Sequence, residues 1–352
     1  MNGPEAEALW LRLREAGVVS GDAPMLDPDA TAPWPIRLLG GVGAWIAVPL
    51  LLGFVLASID WNGAHGMAPI LVGAILAAAS LPWLRGGRDE FQRQAGTVGN
   101  LCGLLVIAVG IASEGSSTMV ALVMAGLAAV MFKLSPQWLH RFLCAGGLVT
   151  SLIWLLVAER FAAESLALVQ ALLVWATAAA WLLRIHVDPV RYPRSAIDPF
   201  AWALTIIALA AAWFGNWLTG YGHDIHLRTL QVLSVAEAAM LPVVAGILVV
   251  PRREVLGMAT TVGLMLATVV LAWLWRWAPG VSLSISLLLL AVPMGASVLL
   301  LVSVLSLAIS LLQYYFQMAD TLLAKSLALA IAGGVVLALH LILRARARRV
   351  AT

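Results

Sequence analysis

The sequence predicts an all-α, polytopic membrane helix bundle of about twelve transmembrane helices, with both termini on the cytoplasmic side. Three observations carry this prediction. Hydrophobic residues make up 62% of the 352 residues and charged residues 11%, against about 25% charged in an ordinary soluble domain. So little charge does not cover the surface of a soluble protein of this size. Apolar runs long enough to cross a bilayer recur from end to end. Basic residues alternate between dense and sparse connecting segments, as cytoplasmic and outer loops do.

Crossing a hydrocarbon core of about 30 Å takes about 20 apolar residues in a helix. Runs of this kind fall at 37–59, 66–84, 95–113, 117–134, 141–158, 164–184, 200–219, 229–250, 255–275, 280–294, 296–316 and 322–343. The stretch 280–316 is apolar throughout except for the break "VPMGAS" at 292–297. As one helix it would reach about 55 Å, too long for one crossing. It is therefore split at Pro293 and Gly295, and its first half is short. With the N-terminus inside, Arg160, Arg228, Arg276 and Lys325 fall on outer segments, and the other 17 of the 21 Lys and Arg residues fall on inner ones. The cluster Arg344, Arg346, Arg348 and Arg349 favours an even number of crossings. Trp34, Trp61, Trp83, Trp138, Trp217 and Trp277 lie at predicted helix ends, where amphipathic rings prefer the headgroup layer. Trp154 and Trp175 lie nearer mid-span and are expected to pack.

Residues 1–35 read as a cytoplasmic helix and linker, residues 36–345 as the transmembrane domain, and residues 346–352 as a basic cytoplasmic tail. In "EAEALWLRLREAG", Leu9, Leu11 and Leu13 stand among charges and Gly17 stops the helix. The polar, acidic start does not resemble a signal peptide, so the first apolar run is expected to direct insertion and to stay.

Several function classes are disfavoured. The net charge of +3 comes with no basic face or nucleic-acid motif. Cys102 and Cys144 sit inside apolar runs, where thiols more often pack than form a disulfide or a metal pair. No Walker loop, HExxH, GxSxG or paired acidic motif is present. The reading therefore leans away from an enzyme and expects no cofactor. No helix carries the regular arginines of a voltage sensor.

Glu237 is the sharpest candidate site residue. It lies in "TLQVLSVAEAAMLPVV", about 13 Å into its span and so near the bilayer centre. A charge there costs at least about 2.5–3.5 kcal/mol on insertion scales. The carboxyl is therefore neutral, paired or facing water. Gln231, Ser234 and Glu237 recur every three residues and form a polar stripe, with the helix-kinking Pro242 beyond it. One reading is a proton- or solute-handling carboxyl in a cavity. The other is a carboxyl that joins helices by hydrogen bonds. Gln170, Asn100, Thr177 and Asn216 are further buried polar groups; Gln170 and Asn100 join the candidate cavity with Gln231, Ser234 and Glu237, although each is more often interhelical glue than a ligand. In the outer loop "GYGHDIHLR", His223, Asp224 and His226 suit zinc by type, but the loop lacks a fourth ligand and reads as solvated. "LLQYYFQMADTLLAKSLAL" at 311–329 reads as an interfacial hairpin. There Tyr314 and Tyr315 stand near a helix end, Asp320 lies in the turn and Lys325 snorkels.

Three stretches also carry a resemblance. "YYFQMADTLLAKSLALAIAGGVVLALHLIL" joins paired tyrosines to a leucine-rich "tLLxKS" segment and a glycine-containing last helix. "APWPIRLLGGVGAWIAVPLLLGF" at 32–54 has one tryptophan before the first helix and a second inside it. "RDEFQRQAGTVGNLCG" at 88–103 places phenylalanine and glutamine before a small-residue helix, with Thr97, Gly99 and Asn100 where a small-residue and glutamine pattern is commoner. Together they resemble a bacterial integral membrane family, domain of unknown function 4401. The resemblance spans essentially the whole chain and implies a multi-pass protein of the bacterial inner membrane, but no activity. Members are often encoded beside another multipass protein and a smaller membrane-anchored protein with a "GDYxxLxxxxA" motif, which implies a membrane partner. Two function classes stay open: a transporter or permease-like protein with a polar cavity around Glu237, or a non-catalytic assembly partner of a neighbouring membrane protein. Neither involves nucleic acid, and both have the lipid bilayer as surroundings.

Overall fold

The computed structural model describes residues 10–17, 34–57, 67–87, 89–113, 115–157, 163–186, 194–219, 227–276 and 278–317, with separate positions between 323 and 337. Within these, secondary structure is entirely helical. Residues 10–15 form a short helix that ends at Gly17, whose φ is 70° and whose N–H donates to Arg14 O, as the sequence predicts. The long helices are α1 Trp34–Ala57, α2 Met67–Gly86, α3 Glu90–Ala112, α4 Ser117–Leu134, α5 Trp138–Val157 and α6 Ala163–His186. They continue as α7 Arg194–Thr219, α8 Leu227–Val249, α9 Met258–Leu274, α10 Pro279–Met294 and α11 Ser297–Gln317. A 3-10 turn, Val250–Arg252, and one helical turn, Arg253–Leu256, join α8 to α9. Helical positions recur from 323 to 337, inside the last predicted span.

Among the described residues, eight helices are long and apolar enough to cross a membrane, namely α2 to α8 and α11. Shorter apolar helices cover Leu38–Phe54, Met258–Leu274 and Gly280–Met294. Their outward faces are apolar: Leu39 is 70% exposed and Phe54 75%. A helix satisfies its own backbone polar groups, so this surface suits lipid. The chain is thus a membrane-embedded helical protein. Trp154 and Trp175, expected to pack, are both partly exposed, although Trp175 also anchors a neighbouring helix as described below. Trp61, Trp277, the 220–226 loop, Asp320, Lys325 and the 346–352 tail lie outside the described residues.

The chain folds into two compact units, residues 1–120 with 133–140, and residues 121–132 with 141–352. In the first, α2 and α3 pack backbone to backbone. Gly96, Gly103 and Gly110 recur every seven residues on α3, which keeps them on nearly one face. A Cβ on Gly103 would lie 2.6 Å from Ala77 N and 2.7 Å from Gly73 O. A Cβ on Gly96 would lie 2.6 Å from Leu84 N. Small residues let membrane helices approach this closely and gain dispersion contacts that lipid cannot replace. α3 begins earlier than its apolar run because Asp89 caps it, accepting from Gln92 N at 2.7 Å. Trp45 Nε1 on α1 donates to Gln94 Oε1 on α3 at 3.1 Å. The bond joins the tryptophan and glutamine of two of the stretches that carry the family resemblance.

In the second unit, a core of Leu173, Val174, Trp181, Leu204, Met240, Leu283 and Leu287 joins α6, α7, α8 and α10. Asp198 near the start of α7 binds Arg184 at the end of α6, with Nη2 donating to Oδ2 at 3.2 Å. The apolar stretch 280–316 forms two helices. Gly295, at φ 61°, ends α10 in the left-handed region. Its N–H donates to Val292 O, and Ala296 N–H donates to Ala291 O. These two bonds form a Schellman motif, which places glycine where a Cβ would be strained. Gly295→Ala is expected to lower stability by about 1 kcal/mol, read as a lower melting temperature in detergent. An unchanged melt would contradict the motif's role.

Buried hydroxyls join α10 to α11. Ser284 Oγ lies 2.7 Å from Ser306 Oγ and donates to or accepts from it, while Ser303 Oγ donates to Leu299 O of its own helix. Nearby, Gln313 Nε2 donates to Trp213 O on α7 at 3.1 Å.

Candidate functional site

Glu237 lies on the buried face of α8 and is 5% exposed. Met240 and Leu241, one turn further along that face, have no exposed surface. Three helices meet at this level. Trp175 Nε1 on α6 donates to Ala236 O, the carbonyl just before Glu237, at 3.0 Å. Val281 on α10 packs in one cluster with Ala238, the residue just after Glu237. Ser282 follows Val281 and is 1% exposed. Its Oγ is buried without a hydrogen-bond partner among the described residues. Gln170 stands about 7.5 Å along α6 from Trp175. It is buried, and neither its Oε1 nor its Nε2 has a hydrogen-bond partner among the described residues. Each such orphaned group costs about 1–3 kcal/mol, and hydrocarbon supplies nothing to satisfy it.

α8 and the two helices packed against it, α6 and α10, thus carry buried carboxyl, carboxamide and hydroxyl groups among apolar neighbours. Among the described residues, no cationic side chain forms an ion pair with Glu237. Ser234 sits one turn earlier on α8 and is half-buried. Gln231 lies on the same helix, with its side chain outside the description. Sequence reasoning missed Ser282, because a serine in "GVSLSISLL" carries no sign of which way it points. A separate cavity of about 330 Å³ opens among α8, α9 and α10, bordered by Ala245, Arg252, Thr268 and Pro293. Glu237 does not line it; Ala245 lies about 12 Å further along α8.

Asn100 belongs to a different network, inside the first unit. Its Nδ2 donates to Ala77 O on α2 at 3.0 Å. Its Oδ1 therefore faces His140 Nε2 at 3.0 Å, which fixes that nitrogen as the N–H donor. Thr97, one turn away, donates to Gln137 Oε1 at 2.8 Å, and Gln137 Nε2 donates to Leu84 O at 3.1 Å. Thr97, Asn100 and His140 have no exposed surface. The network pins the segment 135–140 to α2 and α3, a structural task. His140→Leu leaves Asn100 Oδ1 short of its donor and is expected to cost about 1–3 kcal/mol. Thermal unfolding in detergent checks this, and a melt equal to wild type would deny the network any part in stability. His140 and Gln137 went unnoticed in the sequence because "SPQWLHRF" reads as a loop meeting a helix, with no partner in sight.

Thr177 Oγ1 bonds its own helix at Leu173 O. The side chain of Asn216 lies outside the description. Cys102 and Cys144 form no disulfide among the described residues. Among the described residues, no group of three or more His, Cys, Asp or Glu side chains is placed to hold a metal ion.

Helices long and apolar enough to cross a membrane, with polar groups buried among them, define a membrane-embedded helical protein. Residues 33–346 match the family described as Domain of unknown function (DUF4401). The chain belongs to that family. No curated protein and no solved structure matches it.

Proposed function

We propose that this protein is permease-like and handles a small polar solute at the α6–α8–α10 junction, with Glu237 as the exchanging carboxyl and Gln170, Ser234, Gln231 and Ser282 as polar contacts. The observation that supports this reading is a buried carboxyl on α8 with buried amide and hydroxyl groups, on the α6 and α10 helices packed against it, that lack hydrogen-bond partners among the described residues. Intramembrane ionisable residues cluster on substrate and ion pathways because their burial is otherwise costly. Asn100 serves the first unit's packing in this reading. The chain works in the bacterial inner membrane with both termini inside.

The test is solute-dependent stabilisation of the purified protein. Pools of amino acids, sugars, nucleosides and organic acids are screened by thermal shift, and any stabilising solute is then offered to proteoliposomes containing a pH-sensitive dye. Stabilisation together with a dye response supports the reading. No response from any pool, with a stoichiometric membrane partner retained through purification, assigns the protein to membrane assembly instead.

The orientation has its own test, motivated by the basic-residue asymmetry. In a variant lacking Cys102 and Cys144, cysteines placed at Asn62 and Ser117 should react with an impermeant reagent added outside. Cysteines at Gly87 and Ser195 should react only after lysis. The reverse pattern would invert the topology.

A further inference from the structure

Trp10 aside, every buried side-chain nitrogen or oxygen without a hydrogen-bond partner among the described residues belongs to Gln170, Trp213, Ser282 or Ser310. These residues sit on α6, α7, α10 and α11, and they collect at one level of the second unit. A Cβ on Gly280, in the first turn of α10, would lie 2.5 Å from Ser310 Oγ and 3.5 Å from Ala212 Cβ. Ser310, 4% exposed, is thus aimed at that turn. Ser282, 1% exposed, belongs to the turn itself. Trp213 follows Ala212, and its carbonyl accepts from Gln313, one turn beyond Ser310. Gln170 lies about 7.5 Å before Trp175 along α6, and Trp175 binds α8 at Ala236.

This level is where α10 begins, and it is recessed. Trp275, Ala278 and Val281 frame the turn from α9 into α10; all are buried, and they pack with Ala238 and Leu241 on α8. On the side where α10 begins, α6, α7, α8 and α11 continue past the turn by about 10–18 Å at the helical rise. A helix leaves its first N–H groups without intrahelical partners and carries partial positive charge at that end. Val281 N–H turns back to Ala278 O, but Ala278, at the N-cap, makes no side-chain bond to the turn.

Donors dominate here. An indole N–H only donates, a carboxamide nitrogen donates, and each serine hydroxyl is able to donate. Such donors beside the positive end of a helix suit an anion. Arg276, in the turn, stands over the exposed ring of Trp273 and donates to Trp273 O, so its charge is directed at that ring. Neutral donors and a helix end match one negative charge shared by two oxygens, which is a carboxylate. Glu237 adjoins Ala238 at the same level. Protonated, it is one more donor; ionised, it repels an anion, so the two negative charges are not held together.

We infer that the first turn of α10 binds a carboxylate group through Ser282 and Ser310, with Trp213 and Gln170 as further donors, so that the solute is a small organic acid or amino acid. This names the solute class for the α6–α8–α10 junction and rests on the permease reading for its transport role.

The test uses the full chain in mild detergent at constant ionic strength, with matched pairs of an acid and its amide: acetate and acetamide, lactate and lactamide, succinate and succinamide, alanine and alaninamide. Melting temperature over a dilution series gives a Kd for each. At least one carboxylate should bind about ten-fold or more tighter than its amide, because hydrogen bonds to charged groups are the stronger ones. Ser282→Ala and Ser310→Ala each remove a hydroxyl that has no partner among the described residues. Both should therefore fold, and each should weaken that binding about ten-fold. Equal shifts from every acid and its amide would overturn the inference and leave ordered water at the turn. So would carboxylate binding that survives both serine variants unchanged. If a variant does not fold, the acid–amide comparison on the wild type decides. The permease reading fails separately. Carboxylate binding with no dye response in proteoliposomes removes transport and keeps the site, whereas a dye response driven by uncharged solutes alone keeps transport and rejects the carboxylate site.

Discussion

Glu237→Gln is expected to fold as the wild type does and to abolish solute-driven proton movement. Glutamine keeps the size of the side chain and its hydrogen-bonding capacity, but it does not exchange a proton. Glu237→Leu is expected to lose function as well, because leucine neither exchanges a proton nor hydrogen-bonds a solute. Gln170→Leu supplies the complementary case. Its amide has no hydrogen-bond partner among the described residues, so removing it should leave stability unchanged or improved while weakening solute binding. Wild-type flux from Glu237→Gln would make the carboxyl structural and would end the permease reading. Thermal shift and dye-loaded proteoliposomes measure both sides of this prediction.

Gly103→Ala is expected to be the most damaging single methyl in the first unit. The added Cβ meets backbone atoms, Ala77 N and Gly73 O, and backbone cannot swing aside as a long side chain can. The cost should reach about 3 kcal/mol, the upper part of the range for overpacking. The effect extends to Asn100, whose Nδ2 reaches the carbonyl of the same Ala77. Pushing α2 away stretches that bond, so Gly103→Ala and Asn100→Leu should destabilise by less together than the sum of their separate effects. Gly43→Ala is the control, since a Cβ there meets nothing within 4 Å. It should be neutral, or stabilising by up to about 1 kcal/mol through helix propensity. Tryptophan fluorescence melts of the three variants decide the matter; equal melts for Gly103→Ala and Gly43→Ala would refute close backbone packing.

Helix positions were legible in the sequence because lipid imposes one simple requirement, a long apolar run. The described helices fall on the predicted spans, including the break at Pro293 and Gly295. Boundaries shifted where polar residues extend a helix. α3 starts at its Asp89 cap, and α7 starts early enough to bring Asp198 to Arg184. The burial of Glu237 was legible from its depth. Its neighbours were less so: Ser282 and Trp175 reach that level from helices far apart in sequence, and apolar runs do not reveal which helices touch. Asn100 looked like Gln170 in sequence, a lone amide in an apolar run. In the structure one is bonded to a carbonyl and a histidine, and the other has no partner among the described residues. The glycine repeat on α3 was visible as letters, but a heptad of small residues signals close approach only once the facing helix is known.

The shortness of α10 bears on the membrane itself. Its 16 residues rise about 24 Å, against a hydrocarbon core of about 30 Å. Its Schellman end holds it at that length, because the chain turns there and begins α11. Lipid does not have to meet that shortfall, because among its described side chains only Val292 and Pro293 are exposed and the rest of α10 lies against protein. The length that hydrocarbon imposes on a helix applies where lipid surrounds it. A helix wrapped by its neighbours escapes that requirement, and α10 stops where its glycine stops it.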